Sequence, residues 1–219
     1  MKKALIVLIS ILSIGQLSAQ EFDLVFVFLN KNPNKPVIST DSVDVLMELH
    51  FKNMGELGTQ GKLINAGPFE GGGGLFVMNS PSVDTVQQWL QTDPAIKANR
   101  WNIEMYPFIT TVGGSCVVGA NYEMGMYQFV RYTASNEIAN YKSNANEAKQ
   151  ASIKGLISEL KTGGNLLMAG YFASNEGGIL VLKDDSSTEM IKSSEVANSG
   201  VISFEFKELW IAKGSFCEE

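Results

Sequence analysis

One line of self-similarity constrains this chain more than any other feature. Residues 56–69 and 159–172 are identical at eight of 14 positions at a constant offset of 103. The same offset pairs Phe26-Val27 with Phe129-Val130, and after one inserted residue Gly73-Gly74-Leu75 pairs with Gly177-Gly178-Ile179. Self-similarity at this period marks one structural unit used twice. The expected organisation is two tandem modules, residues 22–110 and 126–212, joined by a linker at 111–124 that contains Gly113, Gly114 and Gly119.

Each module reads as β-α-β-β-α-β. Residues 22–29 are an almost unbroken run rich in Phe and Val, suited to a strand buried on both faces. After a loop with Pro33 and Pro36, Asp41 or Ser42 can cap a helix. Its stripe runs Val43, Met47, His50, Met54 and Leu57 at spacings of four and three, and Gly58 and Gly61 end it. Residues 63–66 and 75–79 are short strands parted by Gly67-Pro68 and the glycines 71–74. Ser80-Pro81 opens a second helix carrying Val83, Val86, Trp89 and Leu90. Trp101, Ile103 and Met105 then alternate with Asn102, Glu104 and Tyr106 along a half-buried strand.

In the second copy, residues 126–133, 166–169 and 179–182 and the alternating Ile202, Phe204 and Phe206 supply the strands. Ile153, Ile157 and Leu160 mark its first helix and Met190 its second. This order is ferredoxin-like, with both helices on one face of an antiparallel sheet. The other face is left apolar and bare, so it needs a partner. The expected fold class is therefore α+β: two ferredoxin-like modules packed sheet to sheet as an intrachain dimeric α/β barrel. Such a chain is a monomeric pseudo-dimer, and a further homodimer is compatible with it.

The N-terminus carries Lys2 and Lys3, an apolar run over residues 4–14, and Ser18-Ala19 before an expected cleavage point. That is the pattern of a secretory signal peptide over residues 1–19, and it implies a secreted or periplasmic location. The alternative is an N-terminal buried strand or anchor helix. A bilayer span needs roughly 20 apolar residues, and no cysteine is placed for a lipid anchor, so no membrane anchor is expected after cleavage. A net charge of −6 and a pI near 4.9 argue against nucleic acid, whose backbone requires a positive field. Cys116 and Cys217 lie 101 residues apart, each after the last expected strand of its module. Joined, they would contribute roughly 4–5 kcal/mol on the chain-entropy model; two free thiols are the alternative.

The first module resembles the YCII-related family. The residues that carry the resemblance are His50 in the first helix, Gly61-Lys62-Leu63, Ala66-Gly67-Pro68, the glycines 71–74, Asp93-Pro94 after the second helix, and the closing Tyr106-Pro107-Phe108. The match covers residues 22–110, and residues 126–212 in weakened form. It implies a ferredoxin-like dimeric α/β barrel with a His–Asp pair, His50 and Asp93, in a cleft beside the sheet. The second copy departs where it matters: Ile153 stands opposite His50, Val196 opposite Asp93, and Tyr171 opposite Pro68. One site and one supporting module are the consequence.

His50 is the only histidine of the chain and lies on an apolar stripe. In one reading Asp93 orients it and leaves its other nitrogen to exchange a proton with a ligand. In the other it is a buried, purely structural histidine. Asp93-Pro94 also has a plain reading as a helix-ending turn. Pro68, Glu104 and Tyr106 are candidate cleft-lining residues, although a solvated strand face would equally explain the last two. The glycines 71–74 lack the Lys-Ser or Lys-Thr and the following helix of a phosphate loop. One histidine and two distant cysteines make no zinc or iron ligand set, and no cofactor is expected; the alternative is a haem held through His50 as its one axial ligand. Two functions follow: a small acid–base enzyme acting on a small cyclic or aromatic carbonyl compound, or a non-catalytic small-ligand-binding or structural envelope module.

Overall fold

The computed structural model describes residues 24–134, 144–174 and 177–217. The expected signal peptide lies outside these residues. The first half comprises β1 (Leu24–Lys31), α1 (Thr40–Thr59), β2 (Leu63–Pro68), β3 (Gly74–Asn79), α2 (Val83–Leu90), α3 (Pro94–Lys97) and β4 (Trp101–Val112). A two-residue strand β5 (Gly114–Ser115) follows. The second half runs β6 (Met124–Ala134), α4 (Asn144–Thr162), β7 (Leu166–Phe172), β8 (Gly177–Leu182), α5 (Thr188–Ser193), α6 (Glu195–Asn198) and β9 (Ile202–Ala212), and closes on β10 (Phe216–Cys217).

Two local expectations are corrected. The cap of α1 is Ser39, whose hydroxyl accepts from the N–H of Ser42, rather than Asp41 or Ser42. Ser82 caps α2, so Pro81 precedes the helix instead of opening it. In both cases a serine oxygen reaches the free N–H three residues on, the geometry that defines a cap.

The stacking of two separate sheets is also corrected. Strands β4 and β7 hydrogen-bond edge to edge, from Phe108 opposite Phe172 to Val112 opposite Ala169. The halves thus share one eight-stranded antiparallel sheet in the order β2-β3-β1-β4-β7-β8-β6-β9. Bare edges carry unpaired N–H and C=O groups, and pairing them satisfies both halves at once. At the other end β2 meets β9 through a bridge between Phe69 and Leu209, and the N–H of Glu70 donates to the carbonyl of Glu208 at 2.9 Å. The sheet therefore rolls into a barrel.

Gly67 and Gly170, 103 residues apart like the matching segments around them, sit at the two seams. A Cβ on Gly67 would strike the carbonyl oxygen of Trp210, and one on Gly170 that of Ile109. Only glycine permits so close a backbone approach.

The inner faces of both halves enclose one core, including Phe26, Phe28, Phe108, Phe129, Phe172 and Ile179. Outside the barrel, Val25, Val27, Phe76 and Met78 pack under α1 and α2, and Val130, Leu180 and Leu182 pack under α4 and α5. β1 is thus buried on both faces, as its unbroken apolar run demands.

The expected linker is only partly a linker. Residues 111–112 belong to β4, and β5 pairs with β10 across Phe216–Ser115 and Cys217–Gly114. Cys116 and Cys217 are disulfide-bonded, with Cα atoms 6.0 Å apart. Among the described residues no helix is long and apolar enough to cross a membrane.

Candidate functional site

The site is built by α1 and the turn between α2 and α3. The stripe on α1 lays Met54 and Leu57 on the outer face of the sheet and brings His50 over Phe76 of β3. The two rings are nearly parallel, 17° apart, with centroids 5.9 Å apart. Trp101, which opens β4, lies 4.9 Å from the imidazole, and Phe51 lies 5.6 Å from it. His50 is 4% exposed.

Asp93 does more than end a helix: it caps the next one. Its Oδ1 accepts from the N–H of Ala95 at 2.8 Å and of Ile96 at 3.2 Å, with Pro94 at the first helical position. Its Oδ2 faces Nδ1 of His50 at 2.6 Å. Asp93 is 1% exposed, so the whole arrangement is shielded from water. All three partners of this carboxyl group are nitrogens suited to donate. An ionised carboxylate, which only accepts, satisfies them all and places the histidine proton on Nδ1.

Nε2 is then the ring's lone-pair nitrogen. It has no hydrogen-bond partner among the described residues, and it is not among the sealed polar atoms left unpaired. His50 borders a cavity of about 690 Å³. Met47, Phe51 and Met54 of α1 form one wall, Leu63 to Pro68 of β2 and Phe76 another, and Trp101 an end. The far wall comes from Val118, Tyr122 and Met124, with Trp210, Ala212 and Ser215. No Lys or Arg borders it among the described residues.

A second polar link runs parallel to the first. Asn53, one turn along α1, donates from Nδ2 to the hydroxyl of Thr92 at 2.8 Å, and that hydroxyl donates to the carbonyl of Trp89 at 2.7 Å. Sequence reasoning missed Asn53 and Thr92; the signal available was a polar residue three positions after His50 on a buried stripe. In the second half the equivalent residues are Ile153 and Leu156, both buried in hydrocarbon beside Val196 and Ile191. Docking the first helix to the segment after β8 therefore needs no polar pair.

The candidate cleft residues separate. Pro68 borders the cavity. Glu104 and Tyr106 do not: Trp101, Ile103 and Met105 take the helix-side face of β4, so strand alternation turns Glu104 and Tyr106 into the barrel. There Arg131 meets them, its Nη1 2.8 Å from Glu104 Oε2 and its Nη2 donating to the Tyr106 hydroxyl at 2.9 Å. The guanidinium lies 4.5 Å from the ring of Phe28. Burial holds the Tyr106 hydroxyl above the ordinary tyrosine range; the Arg131 charge opposes this and Glu104 adds to it. Among the described residues no group of three His, Cys, Asp or Glu side chains could hold a metal ion.

No family model and no curated protein matches the chain. Solved structures do. A Fusobacterium nucleatum protein described as a "putative monooxygenase" aligns over 92% of this chain and 99% of its own, with a TM-score of 0.51 at 10% identity. A haem-binding protein of Thermus thermophilus aligns over 89% and 92%, with a TM-score of 0.51 at 12% identity. The likeness is one of fold: a mixed α+β chain with a large antiparallel sheet, matching neighbours of dimeric α/β-barrel type.

Proposed function

We propose that the chain is a small acid–base enzyme whose substrate, a small cyclic or aromatic carbonyl compound, occupies the cavity beside His50. The observation that carries this is the pairing of Nδ1 with Asp93 at 2.6 Å in a histidine that borders the cavity, which leaves Nε2 to serve as the base. A base needs a fixed tautomer, a free lone pair and a site that excludes water. In the proposed step Nε2 removes a proton from an acidic C–H or O–H of the substrate. Asp93 stabilises the resulting imidazolium, and the proton is then returned to another atom of the substrate. Neutral aromatic substrates suit walls made of Met, Phe and Trp.

The fold neighbours support a small molecule in such a chain, but at 10–12% identity no reaction or cofactor carries over. Haem fits the cavity only in part. Nε2 of His50 could ligate iron, yet no Lys or Arg among the described residues borders the cavity to meet two propionates. The residues do not fit the whole group, and no step is assigned to it.

We infer a tandem duplication of a YCII-like module, residues 22–110 and 126–212, whose second copy has lost the His and Asp. Its support is the repeated element order, the same strand order repeated on either side of the β4–β7 seam, and the equivalent seam glycines. Export through residues 1–19 rests on their sequence and suits a disulfide-bonded chain.

The test is hydrogen–deuterium exchange. Enolisable cyclic ketones, lactones and phenols are incubated in D2O with the wild type and with His50→Asn, and exchange is followed by proton NMR. Wild-type protein should accelerate exchange of at least one class, and His50→Asn should not. Ligand-induced thermal stabilisation without exchange would favour the non-catalytic binding module. Neither exchange nor stabilisation by any class would end both readings.

A further inference from the structure

The outer wall of the cavity is a strap, residues 117–122, and its attachment differs from every other wall. Among the described residues no hydrogen bond of any kind reaches these six positions. Val117 is almost fully exposed and Tyr122 is 55% exposed, yet Val118 and Tyr122 border the cavity. A segment without backbone hydrogen bonds belongs to the low end of local stability.

Its ends, by contrast, are each tied by more than one contact. At the first end Cys116 is disulfide-bonded to Cys217, and its N–H donates to the carbonyl of Ser215 at 2.9 Å. Asn65 reinforces this end: its Nδ2 donates to Ser115 Oγ at 2.8 Å and to the carbonyls of Cys116 and Ser215, each at 3.0 Å. At the second end the N–H of Lys213 donates to the carbonyl of Glu123 at 2.8 Å, and the two side chains pair at 2.9 Å.

We propose that residues 117–122 are the entrance gate of the His50 cavity, with Tyr122 as its leaf and the Cys116–Cys217 disulfide as the fastening that keeps it shut. This rests on the cavity being the ligand site proposed above. α1 and the sheet are built into the packed core, whereas the strap can swing outward without losing a hydrogen bond of its own. Reduction by a dithiol delivers two electrons and two protons, breaks the S–S bond into the Cys116 and Cys217 thiols, and closes the dithiol to its own disulfide. It thereby removes the covalent tie between the strap and β10 and leaves that end held by hydrogen bonds alone. Ligand access becomes dependent on the state of this disulfide.

The test uses the full chain and a neutral apolar fluorophore, N-phenyl-1-naphthylamine, followed by stopped-flow fluorescence. Three forms are compared: oxidised, dithiol-reduced, and oxidised Tyr122→Ala. Opening a gate speeds entry and exit alike, so the reduced form and Tyr122→Ala should each bind and release the probe about tenfold faster or more than the oxidised wild type. Binding to the opened forms alone would support a tightly shut gate. Equal rates in all three forms, or no binding to any, would overturn the proposal. Should reduction unfold the protein, Tyr122→Ala decides the matter with the disulfide intact. Failure of the acid–base reading looks different: His50→Asn would leave proton exchange unchanged while probe release still responds to Tyr122 and the disulfide.

Discussion

Replacing Asp93 separates two jobs that one carboxylate performs. Oδ1 caps α3 through the N–H groups of Ala95 and Ile96, and Oδ2 takes the Nδ1 proton of His50. Asp93→Ala removes both. Loss of the cap costs about 1 kcal/mol, and an orphaned donor on a ring only 4% exposed costs about 1–3 kcal/mol more. Unfolding in urea should therefore show a loss of roughly 2–4 kcal/mol, the sum of these two effects.

Asp93→Asn is the sharper perturbation. The amide oxygen still caps α3, while the amide nitrogen now points a donor at Nδ1. The imidazole must release its Nδ1 proton and carry it on Nε2 instead. Stability should fall by only about 1 kcal/mol, the difference between a charge-assisted and a neutral hydrogen bond. Any base activity should fall by about 10²–10⁴-fold, because Nε2 no longer carries the lone pair. Because the chain has a single histidine, long-range nitrogen–proton NMR of the imidazole reads the tautomer without an assignment problem. An unchanged tautomer in Asp93→Asn, or equal stability of Asp93→Ala and wild type, would refute the reasoning.

Three further outcomes are expected. Gly67→Ala should lose about 1–3 kcal/mol in chemical denaturation, because the new methyl meets the Trp210 backbone and not a yielding side chain; a loss under about 0.5 kcal/mol would argue against a tight β2–β9 seam. Arg131→Ala should destabilise the barrel more than Glu104→Gln, since the guanidinium also lies over Phe28 while Glu104 is 41% exposed. Urea titrations giving the reverse order would overturn that ranking. A hydrogen bond and like charge from Glu70 hold the Glu208 carboxyl above the ordinary glutamate range. A raised carboxyl pKa favours the folded state at low pH, and that advantage is lost as pH rises through the raised value. Glu208→Gln should therefore raise Tm near pH 7 and leave it unchanged near pH 4; a shift of equal size at both would contradict the assignment.

The amino-acid sequence by itself determined the self-similarity of the two halves, the main strands and helices, and which faces of them are apolar. Offsets of 103 and 104 and periods of two and 3.6 are local properties, written in neighbouring residues. It also singled out His50 and Asp93, through the family pattern they resemble and through the Ile153 and Val196 that stand at the matching offset. Tertiary structure decided the rest. Alternation along β4 separates Trp101 from Glu104 and Tyr106, but only the closure of the barrel makes the second face the inner one, where Arg131 waits on β6. Seam pairing between β4 and β7 uses backbone groups that every residue carries, so no side chain announces it. The double duty of Asp93 depends on a four-residue helix too short to leave a periodic signal and on a partner 43 positions away. The strap became a cavity wall only because β5 pairs with β10 and the disulfide brings residue 116 beside the far end of the chain. Local pattern specifies what an element buries; which other element it buries it against is a property of the closed fold.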